Sequence, residues 1–224
     1  MKLFALAVLP LVVFSQEAPK LRLPGDVQPV RYELDLNLTP SEDQFDGKVA
    51  IEVEVKKPTS VIWLHSSGLT IASATVSGKA VKVASGGTEF IGLSGGPFEP
   101  GRARIEIAYS GPLLKNDVEG LFKQTDCPDS HILTQLKPTS ARRTIPCFDE
   151  PAFKTPWKIT LRVPKNMEAF SNTPVESDRT EASVKVVRFR ESKPLPSYLV
   201  AMAVGPFEVI DGGTAGKNKT PLRV

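Results

Sequence analysis

The stretch "VRYELDLNL", residues 30–38, alternates strictly between apolar and polar side chains. Its apolar members are Val30, Tyr32, Leu34, Leu36 and Leu38. Side chains of a β-strand point in turn to the two faces of a sheet, so this alternation is typical of a half-buried strand. The stretch therefore predicts a sheet with one face in a hydrophobic core and the other face polar.

Three further stretches repeat this pattern. They are "KVAIEVEV" (48–55), "RARIEIAYSG" (102–111) and "WKITLRVP" (157–164), with predicted buried residues Val49, Ile51, Val53, Val55, Ile105, Ile107, Tyr109, Trp157, Ile159, Leu161 and Val163. The run "YLVAMAVGPFEVI" (198–210) is almost wholly apolar and indicates a strand buried on both faces. No segment holds an apolar stripe of helical period, and proline (20) and glycine (16) are frequent, so we predict an all-β domain of two packed sheets.

Composition narrows the class of protein. The chain has 224 residues, 41% of them hydrophobic and 24% charged, which is ordinary for a globular protein with a core of its own. The formal net charge is +3, and the lysines and arginines are spread along the chain. Because no basic block is interleaved with aromatic residues, nucleic-acid binding is not predicted.

The N-terminus has the pattern of a signal peptide. Lys2 precedes an apolar run at residues 3–14, which is shorter than the roughly 20 residues that a membrane span needs. "VFS" ends this run with residues suited to cleavage after Ser15. The alternative, a buried N-terminal strand, fits Lys2 and the polar residues that follow less well. We therefore expect residues 1–15 to be removed and the mature chain to be exported, to a periplasm or by secretion, without a membrane span.

The chain lacks the motifs of a complete active site. His65 and His131 are its only histidines, and no H-E-x-x-H or G-x-S-x-G occurs. Both histidines are interpreted as structural or exposed residues rather than as catalytic ones. Cys127 and Cys147 are the only cysteines, and the sequence leaves open whether they form a disulfide. A zinc site built on Cys127 and His131 would lack further ligands, so no catalytic or metal-binding residue is predicted.

The segment "TQLKPTSARRTIPCFDEPAFKTPW", residues 134–157, is dense in charge and proline. Asp149 and Glu150 could act as an acid–base pair, but adjacent side chains in extended chain point opposite ways. Arg142 and Arg143 lie close by as partners, and this favours an ion-pair network that holds the segment in place.

This segment resembles a signature of the aminopeptidase N family of zinc-dependent gluzincin aminopeptidases, whose N-terminal domains usually read T-Q-x-E-P-x-D-A-R-R-x-F-P-C-F-D-E-P-x-x-K. The matching residues are Thr134, Gln135, Pro138, Ala141, Arg142, Arg143, Pro146, Cys147, Phe148, Asp149, Glu150, Pro151 and Lys154. Weaker likenesses run in the same order from residue 22 to the end of the chain.

The resemblance implies a saddle-like β-sandwich as N-terminal domain at 16–215, with residues 216–224 entering a catalytic domain. The zinc ligands and general base would then lie beyond Val224, so this fragment would be inactive and metal-free alone. The whole enzyme would remove single residues from peptide N-termini, and this domain would cap its cleft. The alternatives are a non-catalytic extracellular domain that binds peptides or proteins, as an inactive relative would, and an unrelated adhesion-type sandwich.

The resemblance also implies two substrate-binding positions, Gln135 and Lys137. The family has a Gln and then a Glu or Gln at these positions, where they line the first side-chain subsite and help to bind the substrate's amine. Gln135 matches, whereas Lys137 replaces a carboxylate by an ammonium that repels the amine. We expect Lys137 to shift preference towards acidic first residues; the alternative is that Lys137 points to solvent and the subsite is simply altered.

Overall fold

The computed structural model describes residues 17–115, 117–125 and 129–223, and these residues are built almost entirely of β-strands. The first nine strands are β1 (Val27–Asn37), β2 (Gln44–Val55), β3 (Thr59–His65), β4 (Thr70–Val76), β5 (Lys79–Ala80), β6 (Lys82–Ser85), β7 (Phe90–Phe98), β8 (Gly101–Pro112) and β9 (Gly120–Gln124). The others are β10 (His131–Gln135), β11 (Trp157–Pro164), β12 (Glu168–Ser171), β13 (Val175–Glu181), β14 (Val184–Phe189), β15 (Met202–Gly205), β16 (Asp211–Ala215) and β17 (Thr220–Arg223). Two short 3-10 helices span Ala141–Arg143 and Ser197–Leu199.

The largest sheet has eight strands in the order β13-β14-β11-β1-β2-β8-β4-β5. Its strand pairs are antiparallel except β1 with β11, which run parallel and join segments far apart in the sequence. The outer face of this sheet is polar and carries ion pairs such as Arg31 with Glu52 and a two-bond Arg162–Asp35 pair. The inner face is apolar, as the alternation in β1 predicts.

Two smaller sheets supply the rest of the core, in the orders β3-β7-β6 and β12-β15-β10-β9, while β16 and β17 form a separate hairpin. One continuous cluster of buried side chains draws on the eight-stranded sheet and on both smaller sheets. The all-β prediction is confirmed, and the layer opposite the large sheet is divided between two short sheets.

The predicted inner-face residues of β2, β8 and β11 are all buried. In β1 the prediction holds from Tyr32 onward, whereas Val30 is only half-buried. The β1–β2 register shifts between Pro29 and Arg31, so the alternation slips at this bulge and Val27 turns inward instead.

The prediction of a strand buried on both faces at 198–210 is wrong. Only β15 is a strand there, with Met202 and Val204 inward and Ala201 exposed. A 3-10 helix precedes β15, and Val209 and Ile210 are 44% and 58% exposed. Small and apolar residues can form such a run without being enclosed, so run length alone misled here.

The predicted signal peptide at residues 1–15 lies outside the described residues. Within the described ranges, no helix has the length and apolar character to cross a membrane.

Candidate functional site

After β10 the segment at 134–157 becomes an irregular loop, residues 136–156, that we call the signature loop; its middle part, residues 140–150, is largely buried. The loop contains four prolines, Pro138, Pro146, Pro151 and Pro156, which lack the N–H that regular pairing uses, so the chain cannot continue as a strand here. The middle of the loop is nonetheless enclosed, because Ile145 and Cys147 are fully buried. Enclosed polar groups need partners within the protein, and the ion pairs described next supply them for the charged side chains.

The centre of the signature loop is the ion pair of Arg142 and Asp149, which are 7% and 2% exposed. The Arg142 Nε–H donates to Asp149 Oδ2 at 3.0 Å, and another guanidinium N–H donates to the Asp149 carbonyl oxygen at 3.2 Å. A third N–H reaches Glu89 at 2.7 Å, and the Ser197 hydroxyl donates to Asp149 Oδ1 at 2.6 Å. The predicted ion-pair network is therefore present for Arg142 and Asp149, and both charges are well hydrogen-bonded.

His65 joins the three-stranded sheet to this network. Its backbone N–H donates to the Cys147 carbonyl oxygen at 2.9 Å, and its carbonyl oxygen accepts from the Cys147 N–H at 3.0 Å. Its Nδ1 accepts the Asp149 N–H at 3.2 Å, so Nδ1 must be unprotonated. Burial, and then the Arg142 guanidinium, lower the pKa of His65 to about 3. His65 is thus a neutral structural histidine, as interpreted from the sequence.

Arg143 and Glu150 do not join that network. Arg143 pairs with Asp117 at 2.7 Å and with Glu119 at 3.5 Å, and the hydrogen bond from Arg143 lowers the pKa of Asp117. Glu150 instead accepts the Leu23 N–H at 2.7 Å and so ties down the lead-in to β1. The predicted partners of Arg143 and Glu150 are corrected accordingly, because both reach parts of the chain that no local pattern indicates.

Gln135 and Lys137 lie where β10 runs into the signature loop. Both are exposed, and Leu136 between them is 2% exposed. Gln135 is the last residue of β10, whereas Lys137 lies in the turn that follows, which the hydrogen bond from the Ser140 N–H to the Leu136 carbonyl oxygen closes at 3.1 Å. Gln135 pairs across the sheet with Gly120. Position 120 favours glycine for two reasons: its φ is +79°, and a Cβ atom there would lie only 3.2 Å from the Cβ of Arg143.

A groove of about 410 Å³ runs beside Gln135 on the outer face of the four-stranded sheet. Phe122, Leu133 and Phe170 give it apolar walls, and Thr134 and Gln135 give it polar groups. Such a mixture of apolar walls and a few polar groups is typical of a site that binds a small molecule or a side chain. The structure therefore brings Gln135 to a groove, whereas Lys137 is not among the residues that line it.

The two cysteines have different standing. Cys147 is a free, fully buried thiol, and burial raises its pKa well above the usual value, which makes it unreactive. Cys127, whose pairing with Cys147 the sequence leaves open, lies outside the described residues.

Two polar contacts of buried side chains, those of Arg142 and Lys123, were missed from the sequence. Glu89 closes the Arg142 network from the turn before β7, and Lys123, 5% exposed, donates to the Pro40 carbonyl oxygen at 3.3 Å and pairs with Asp43 at 2.9 Å. Both join segments more than 50 residues apart. Neither residue stands in a pattern that separates it from an ordinary surface charge.

Comparison of the sequence with known proteins identifies the family. Residues 28–199 match the family model described as Peptidase M1 N-terminal domain. The chain is 32% identical to aminopeptidase M1 of Arabidopsis thaliana over 209 residues, which is 87% of this chain and 24% of that protein.

Two more relatives show the same pattern. The leucyl aminopeptidase of Saccharolobus solfataricus is 32% identical over 80% of this chain, and the glutamyl aminopeptidase of Mus musculus is 31% identical over 94%. The matched regions are 22% and 24% of those proteins, so the chain spans about a quarter of the length of the curated relatives that it matches. From the family match and these identities, the chain belongs to the family of peptidase M1 N-terminal domains.

Proposed function

We propose that this domain forms one wall of the substrate cleft of an exported zinc aminopeptidase, which removes single residues from peptide N-termini. The observation that carries the proposal is the position of Gln135, exposed beside a groove on the outer face of the four-stranded sheet. It stands in a domain whose relatives are aminopeptidases. The domain would cap the cleft with this face and supply substrate-binding groups.

Gln135 is suited to hold a peptide terminus because its carboxamide both donates and accepts hydrogen bonds. The buried Leu136 and the signature loop behind it restrict the backbone that carries the side chain. A binding group gives precise positioning only when its support is rigid, and the Arg142–Asp149 pair provides such support. Two relatives are named leucyl and glutamyl aminopeptidase, so the first residue that is removed would depend on details around this subsite.

Zinc would be held by another part of the full-length protein. Within residues 17–115, 117–125 and 129–223, no three His, Cys, Asp or Glu side chains come together as a metal site. The described residues therefore do not fit a zinc ion, and no step of the chemistry is assigned to them. Their role in the proposal is to bind and orient the substrate.

The test is to express the full-length protein and measure kcat/KM on aminoacyl-arylamides for Gln135→Ala. We expect at least a tenfold loss, equivalent to about 1.4 kcal/mol of transition-state binding. Gln124→Ala is the matched control, because Gln124 is exposed at the opposite end of the same sheet, across from His131. Equal effects of the two substitutions would contradict the proposed role of Gln135.

Further measurements address the enzyme class and the location. A chelator should abolish activity and added zinc should restore it. N-terminal sequencing of the exported protein should give a sequence that begins at Gln16.

A full-length protein without peptidase activity in the presence of zinc would favour the second candidate, a non-catalytic domain that binds peptides in the same groove.

A further inference from the structure

A second groove, of about 730 Å³, lies on the outer face of the eight-stranded sheet. None of its described lining residues also lines the groove beside Gln135. Ala50 on β2 and Ala108 on β8 line it, and a methyl group projects less far from a sheet than the charged side chains around it do. These two positions therefore leave a depression, whose volume falls within the range of roughly 300–1,000 Å³ that is usual for ligand-binding clefts.

The carboxylates that line this groove already have cationic partners. Those that the structure describes each form an ion pair with an arginine or a lysine. The pairs are Glu33 with Arg104, Asp35 with Arg162, Glu106 with Arg104, and Glu176 with Lys158. A cationic ligand would have to displace one of these partners, so the groove is not suited to bind one.

Two cations of the same groove are not paired in this way. Lys48 and Arg188 line the groove, are exposed, and form no ion pair with any residue of the described ranges. Lys48 lies across from Asp35 in the β1–β2 register, but both carboxylate oxygens of Asp35 accept hydrogen bonds from Arg162. Lys48 and Arg188 are therefore the groups with which an anionic ligand would pair.

The strand register sets the spacing of these two cations. Cross-strand partners run in one row from Arg188 on β14 through Thr160 on β11 and Asp35 on β1 to Lys48 on β2. Three strand spacings of about 4.8 Å separate the backbones at the two ends of this row by about 14 Å. An extended peptide covers that length in four residues at about 3.4 Å each, and side chains four residues apart point to the same side.

Hydroxyl groups lie along the same row. Thr160 is the neighbour of Arg188, and Ser73 on β4 faces Ala108 at the other end of the groove. The β4–β8 register shifts just before Ser73, and a bulge of this kind re-aims the side chain beside it. A hydroxyl both donates and accepts hydrogen bonds, so these groups can bind the main chain of a peptide.

We propose that this groove binds an acidic segment of a partner protein, in extended conformation, with two carboxylate side chains four residues apart. One carboxylate would pair with Lys48 and the other with Arg188, and the main chain would pass over the depression at Ala108. A densely charged polyanion fits less well, because its charges would also pass the carboxylates of the groove, and like charges repel. This binding goes beyond the proposed function and does not depend on it.

The experiment measures fluorescence anisotropy with the full-length protein and a peptide that contains Glu-Ala-Ser-Ala-Glu. Its N-terminus is blocked by fluorescein, so that an aminopeptidase cannot shorten it. We expect saturable binding that weakens at high salt, because exposed ion pairs are screened. Replacing both glutamates by glutamine, or placing them three residues apart and so on opposite sides of the peptide, should weaken binding about fivefold or more.

Variants of the protein locate the binding. Lys48→Gln and Arg188→Gln should each raise the dissociation constant about three- to fivefold, which is the upper range for one exposed ion pair. Lys57→Gln is the matched control, because Lys57 is an exposed lysine between β2 and β3 that is not among the groove's lining residues. An unchanged urea midpoint in all three variants checks that they fold.

The outcomes decide the inference whether or not the protein is a peptidase. Losses confined to Lys48→Gln and Arg188→Gln, together with the preference for two glutamates four residues apart, would establish it. Absence of saturable binding, equal affinity for the glutamate and glutamine peptides, or equal affinity in Lys48→Gln and Lys57→Gln would each overturn it. Tighter binding of heparin, with the same losses in the two groove variants, would assign this face to polyanions and overturn the peptide proposal as well.

Discussion

At the scale of single residues, the stability of the signature loop depends on one enclosed ion pair. Arg142 and Asp149 are nearly inaccessible, yet their charged groups are hydrogen-bonded to each other, to Glu89 and to Ser197. An enclosed pair of this kind adds little net stability compared with apolar residues, but removal of one partner leaves the other charge buried and unpaired. The loop is therefore sensitive to the loss of either member.

We predict that Asp149→Asn lowers the free energy of unfolding by about 3–5 kcal/mol, because the Arg142 guanidinium would lose its buried counter-charge. Urea unfolding followed by tryptophan fluorescence measures the change. Asp35→Asn is the matched control, since Asp35 forms a two-bond pair with Arg162 on the outer face, where both side chains are more than a third exposed. That control should lose about 1 kcal/mol or less. Similar losses in both variants would show that burial does not decide the effect.

At the scale of elements, the signature loop is joined to the eight-stranded sheet through β1. The Tyr32 ring stacks on Trp157 of the parallel neighbour β11, with centroids 3.9 Å apart, and its hydroxyl oxygen accepts the Phe148 N–H at 3.0 Å. One side chain of β1 thus contacts both β11 and the signature loop. The hydrogen bond between the Phe148 N–H and the Tyr32 hydroxyl links β1 to the signature loop, and its contribution to the free energy of unfolding can be measured.

Tyr32→Phe should lower the free energy of unfolding by about 1–3 kcal/mol, because the buried Phe148 N–H would lose its acceptor while the ring packing is kept. Tyr109→Phe provides the comparison on β8 of the same sheet. The Tyr109 hydroxyl is buried and has no hydrogen-bond partner among the described residues, so its removal should be neutral or stabilising. Urea unfolding of both variants measures the two changes in free energy. Equal shifts in the unfolding midpoint would argue against a stabilising role for the hydrogen bond from the Phe148 N–H.

The sequence predicted the strands well where the spacing of apolar residues alone determines which side chains are buried. β2, β8 and β11 are half-buried strands, so their apolar residues fall on every second position and identify the inner face. The alternation in β1 predicted Val30 wrongly, because a bulge inserts one extra residue into the strand and the amino-acid pattern does not reveal it. The run at 198–210 misled because apolar residues such as Ile210 can remain exposed.

The candidate site was predictable only in part. The Arg142–Asp149 pair lies within seven residues and could be inferred from the segment itself. His65, Glu89 and Asp117 reach the signature loop from parts of the chain 26 to 84 residues away, and the sequence contains no signal of such pairings. Which distant side chains meet depends on the register of all the strands together, so these contacts become visible only in the folded chain.

At the scale of the whole molecule, the acid sensitivity of the fold depends on groups that change protonation on unfolding. Partners lower the pKa of several carboxyls, among them Glu33 beside Arg104 and Asp117 beside Arg143. Their contribution is present above the ordinary carboxyl pKa and is lost at more acidic pH. His65 acts at higher pH, because burial lowers its pKa from 6.5 to about 3.

The unfolded chain binds a proton at His65 as the pH falls below about 6.5, whereas the folded chain does not do so until about pH 3. The free energy of unfolding should therefore decrease between pH 6.5 and 5, with a slope that approaches about 1.4 kcal/mol per pH unit at the acidic end. Urea unfolding of His65→Gln over this range should give a slope flatter by about 1 kcal/mol per pH unit, even if that variant is less stable throughout. If the slope of His65→Gln agrees with that of the wild type, His65 does not carry the acid sensitivity of this range, and the loss of stability belongs to the carboxylates that titrate below it.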